Sequence, residues 1–60
     1  MNELISSDFL NGAREARAQV ANGDIYDVDN ALYLFKIDPA DNEFQRGFES
    51  YLRVFLKGKR

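Results

Sequence analysis

The chain has 60 residues and contains no cysteine, no histidine and no tryptophan. The missing cysteine rules out disulfides, and the missing histidine removes with it most structural zinc sites. It also leaves Ser6, Ser7 and Ser50 with no imidazole to activate them, so nucleophilic catalysis lacks its usual base. Ser6 and Ser7 read instead as helix caps. No apolar stretch approaches the roughly 20 residues that span a bilayer. The start, Met1-Asn2-Glu3-Leu4-Ile5-Ser6-Ser7-Asp8, has no basic head followed by an apolar run, so it does not read as a signal peptide. The expectation is a soluble, cytoplasmic protein with no membrane partner. There is no glycine-rich phosphate loop and no dinucleotide fingerprint. Two acidic groups, Asp24/Asp27/Asp29 and Asp38/Asp41/Glu43, match neither the alternation nor the closing glutamate of an EF-hand loop. Caps and turns account for both groups, so no metal and no cofactor is expected.

What remains is a short chain with eight aromatics and many aliphatic residues, which is a folding composition rather than a disordered one. Sixty residues make one domain, here 1–60, and bury only about 60% of the surface of the unfolded chain. With disulfides and zinc excluded, extra stability has to come from association with itself or with a partner.

Ser6-Ser7-Asp8 offers N-caps. After it Phe9, Ala13, Ala16 and Val20 recur at helical spacing, and Asn22-Gly23 is a C-terminal stop. A first helix over about 7–22 follows, with Gly12, Ala13 and Ala16 making one face small enough for close approach. A last helix over about 40–57 begins near Asp38-Pro39 or Asp41. It carries Phe44, Phe48, Tyr51 and Phe55 on one face, has Gly47 beside them, and ends at Gly58. The two helices are expected to pair as an antiparallel hairpin, with the rings of one against the small face of the other. Residues 25–37 read two ways. With Asp27 as cap, Val28, Ala31, Leu32 and Phe35 share a helical face. As a strand, Tyr33, Phe35 and Ile37 alternate with their neighbours. The fold class is therefore all-α, with a short helix or irregular connection in the middle.

Phe9-x-x-Gly12-x-x-x-Ala16 with Gly23, taken with Phe44-Gln45-Arg46-Gly47-Phe48-x-x-Tyr51, resembles the layout of ribosome modulation factor and its small phage-encoded relatives. That resemblance implies a helical hairpin, and ribosome association is what it implies about function. The chain departs from the family in being acidic where the family is strongly basic, and in carrying Tyr33-Leu34-Phe35 in its connection. It transfers no site residue.

Charge is unevenly placed. Six acidic residues lie between Asp24 and Glu43 against Lys36 alone, whereas Arg46, Arg53, Lys57, Lys59 and Arg60 face only Glu49 toward the end. The pattern fits a solvated surface with cations suiting a helix C-terminus, or a polar molecule steered toward charged partners. The leading expectation is a non-enzymatic, protein-binding regulator. It would be an adaptor or inhibitor of phage or mobile-element type, self-associating as a homo-oligomer, and it would bind through Tyr26, Tyr33 and Leu34 flanked by Asp24, Asp27 and Asp29. Tyr33 and Leu34 fit equally a small core or a homodimer seam. The alternative is a ribosome- or nucleic-acid-associated regulator that uses Arg46, Arg53, Lys57, Lys59 and Arg60.

Overall fold

A computed structural model describes residues 6–59, with the side chains of 6–58. Among these residues there are three helices and no strand: α1 (Ser7–Asn22), α2 (Val28–Ile37) and α3 (Glu43–Lys59). No helix among them is long and apolar enough to cross a membrane.

Each helix has an identifiable start. The Ser6 hydroxyl accepts from the Phe9 N–H at 3.1 Å, and an Asp27 carboxylate oxygen accepts from the Asn30 N–H at 3.1 Å. Both satisfy a first-turn donor that has no partner inside the helix. The Asp27 cap decides between the two readings of 25–37 in favour of a helix. α3 opens later than the sequence suggested. Pro39 disfavours helical geometry at Asp38, which sits at φ −131° and ψ 86°. The cap is then made by Asn42, whose side-chain oxygen accepts from the Gln45 N–H at 2.9 Å. Gln45 reaches back to accept from the Asp41 N–H at 2.8 Å, a variant of the reciprocal capping box.

The ends differ too. Gly23, at φ 86°, closes α1 in the left-handed region, and the Asp24 N–H returns to the Gln19 carbonyl at 2.8 Å. This is the Schellman arrangement, for which glycine has no steric cost. Gly58, expected as a stop, lies inside α3, which continues to Lys59.

α1 and α3 meet backbone to backbone. A methyl group added at Gly12 would fall 2.7 Å from the Phe44 carbonyl carbon, and one added at Gly47 would fall 2.7 Å from that of Phe9. The carbonyl oxygens are nearer still. The relation is reciprocal: each glycine lies against the carbonyl of the phenylalanine that precedes the other glycine by three residues. Past this crossing, Ala16 and Leu52 are fully buried in one cluster with Val28, the first residue of α2. These contacts establish that α1 packs on α3 and do not establish the antiparallel sense expected for the pair. The ten residues of α2 rise about 15 Å and join α1 to α3. Val20, Ile25, Leu32, Phe35, Phe48, Tyr51, Phe55 and Leu56 pack around the cluster. The Phe35 and Phe48 rings lie 6.2 Å apart and tilted, tying α2 to the first half of α3.

Phe44 departs from its expected core position, with 39% of its surface exposed. Its backbone occupies the crossing against Gly12, and its ring is left at the edge.

Candidate functional site

α2 is apolar on both sides. Val28 is buried, and Ala31, Leu32 and Phe35 pack toward the cluster, which accounts for one face. Tyr33, Leu34 and Ile37 lie on the other, each more than half exposed. Asp29 and Lys36 share a flank between the two faces, so α2 is apolar on two sides with a charged strip beside them.

Beside that outer face runs an open groove of about 600 Å³ between α2 and the start of α3. It is lined by Ile25 before α2, by Ala31, Leu34, Phe35 and Ile37 of α2, by Asp38 after it, and by Phe44, Gln45 and Phe48 of α3. The Asn42–Gln45 cap sets where α3 begins and so places Phe44. The Phe35 and Phe48 rings, which touch each other, both line the groove. A second depression, of about 390 Å³, adjoins the groove through Ile25, Ala31 and Leu34 and is also lined by Asp24, Tyr26, Asp27 and Asn30.

Of the residues expected to bind protein, the structure gathers Asp24, Tyr26, Asp27 and Leu34 around this joined surface. Tyr26 is 91% exposed. Asp29 and Tyr33 are exposed on α2 but line neither depression. Ile37, Phe44 and Asp38 were missed. Ile37 was legible in principle, because it follows Tyr33 by four and Leu34 by three residues, positions that share a helix face.

No family model, no curated protein and no solved structure matches the chain. What the surface can do therefore rests on its own chemistry. Among the described residues no polar or charged side chain is buried. No group of three or more histidine, cysteine or carboxylate side chains there is placed to hold a metal ion. The groove is an apolar slot with carboxylates at its margin, suited to desolvating hydrophobic side chains.

The basic residues of α3 are arranged differently. Arg46 pairs with Glu43 at 3.7 Å and Arg53 with Glu49 at 2.6 Å. Together with Glu49 and Ser50 they line a shallow depression of about 330 Å³. Lys57 is exposed and lies outside it. The Lys59 side chain and Arg60 lie outside the described residues.

Proposed function

We propose that this chain is a non-enzymatic protein-binding module, an adaptor or inhibitor, and that the outer face of α2 with its groove is the surface it presents. The observation that carries this reading is the exposure of Leu34, Ile37 and Phe44 around a single apolar slot. In a 60-residue chain whose fully buried large side chains, among the described residues, come down to Leu52, so much apolar surface left outside is costly. Covering it with a partner recovers roughly 25 cal/mol for each Å² removed from water. Tyr26 adds an exposed aromatic of the kind enriched among interface anchors. The nucleic-acid reading is weakened by the carboxylates of Glu43 and Glu49, which lie beside Arg46 and Arg53 and oppose phosphate on that face.

The test is affinity capture from host extract, with the captured proteins identified by mass spectrometry. The double variant Leu34→Glu/Ile37→Glu and the double variant Arg46→Glu/Arg53→Glu are run beside the wild type. The reading expects the first to lose the specific partner and the second to keep it. The reverse pattern, or capture of nucleic acid that disappears at high salt, refutes it.

A further inference from the structure

We infer that the occupant of the groove is a helix of another protein whose apolar stripe is flanked by lysines or arginines. This rests on the protein-binding reading above and adds the chemistry of the partner. The walls take apolar side chains, as Leu34, Ile37 and Phe44 show. The margin takes positive charge. Asp38 lines the groove, and Asp24 and Asp27 line the depression that adjoins it. Among the described residues none of these three carboxylates is in an ion pair, whereas Glu43 and Glu49 on α3 each hold an arginine. The two α3 glutamates thus face arginines, whereas Asp24 and Asp38 beside the slot face no cation among the described residues, and Asp27 accepts the Asn30 N–H at the start of α2 and no cation either. Opposite charge at such a rim raises the encounter rate and selects the partner.

The shape favours a helix over an extended peptide. Strand addition needs a free sheet edge, and the described residues contain no strand. A slot between two helices instead accepts anchors spaced i, i+3, i+4 and i+7 from a third. A second copy of this chain is the weaker occupant. A two-fold interface places the same patch on both subunits, so it would bring the carboxylates of both acidic rims into one interface with no added positive charge.

Two synthetic peptides of about 18 residues, long enough for appreciable helix, test the inference. Both carry leucines at i, i+3, i+4 and i+7. One has lysines at the flanking positions and the other glutamates. Each is titrated into the isotope-labelled full chain and followed by NMR and calorimetry. The lysine peptide is expected to shift Leu34, Ile37 and Phe44 and to bind about tenfold or more tightly than the glutamate peptide. Its affinity should fall several-fold between ~0.05 M and ~0.5 M salt, as screening shortens. The triple variant Asp24→Asn/Asp27→Asn/Asp38→Asn should remove that preference while keeping the fold, because asparagine caps a helix as well as aspartate does. Equal binding of both peptides at the groove overturns the basic partner and leaves the protein-binding reading standing. Binding of neither, or shifts centred on Arg46 and Arg53, overturns the inference. So does a mass that doubles with concentration in the absence of peptide while the same three residues shift, since the occupant is then a second copy.

Discussion

Replacing Gly47 by alanine should destabilise the protein, although alanine is the better helix former. The site is interior to α3, where alanine gains about 1 kcal/mol over glycine from backbone propensity alone. Against this, the new methyl group would lie 2.7 Å from the Phe9 carbonyl carbon and 3.0 Å from its Cα. Ordinary contact begins near 3.4 Å, so α1 and α3 must part by at least the difference, 3.4 − 2.7 = 0.7 Å, and further to clear the oxygen. The obstacle is backbone, which cannot swing aside as a side chain can. The cost therefore falls at or above the upper end of the usual overpacking range, about 3 kcal/mol. A gap of this size also forfeits a quarter to a half of each dispersion contact that spans it. The net expectation is a loss of about 2 kcal/mol or more, a fall in Tm of roughly 8–16 °C for a domain of this size. Gly58→Ala is the matched control, since its methyl group meets nothing within 4 Å. It should raise stability by up to about 1 kcal/mol. Thermal and urea denaturation followed by circular dichroism measure both. If Gly47→Ala melts at or above the wild-type temperature, the backbone-to-backbone crossing is not what sets the helix spacing. In the double variant Gly12→Ala/Gly47→Ala the loss should be smaller than the sum of the singles, because the first parting makes room for the second.

Leu52→Ala removes the largest fully buried side chain among the described residues and should cost about 2–5 kcal/mol, which urea titration would show as a lower midpoint with two-state shape kept. Gly23→Ala forces a side chain into the left-handed region at φ 86° and should lose about 1 kcal/mol or more, whereas Gly23→Asn should lose less, as asparagine tolerates that conformation. Leu34→Glu alters an exposed position and should move stability by no more than about 0.5 kcal/mol; a larger loss would mean that the outer face of α2 is packed. Arg53→Ala breaks an exposed pair with Glu49 and should cost at most about 1 kcal/mol, measured by the same titration.

The limits of α1 could be read directly, because a serine cap and a glycine stop bracket an unbroken apolar period. α2 was ambiguous for a physical reason. Ile25–Ile37 has apolar residues on two sides, so neither a period of 2 nor one of 3.6 stands out, and the Asp27 cap was the one local signal that separated them. The start of α3 was misplaced because Asp38-Pro39 and Asp41 competed as caps with Asn42. The spacing of Asn42 to Gln45 carried the answer. Phe44 was assigned to the core from its place in the aromatic stripe. A stripe gives the direction of a side chain and not how near the neighbouring backbone comes, and at this position the backbone takes the space. The groove was half legible. Leu34 and Tyr26 stood out as apolar residues left over, but Phe44 joins them only through the tertiary arrangement of α2 and α3. The relative sense of α1 and α3 had no signature in the sequence, since either direction satisfies the same small and aromatic faces.

The crossing at Gly12 and Gly47 divides the molecule into two regimes of tolerance. The α1–α3 pair is locked by atoms every amino acid possesses, and its most sensitive positions are those where nothing can be added. α2 is held by a few apolar anchors and shows the rest of its surface to solvent. New binding preferences can therefore be acquired by changing the outward residues of α2 one at a time, while the frame beneath keeps its spacing without any matching substitution.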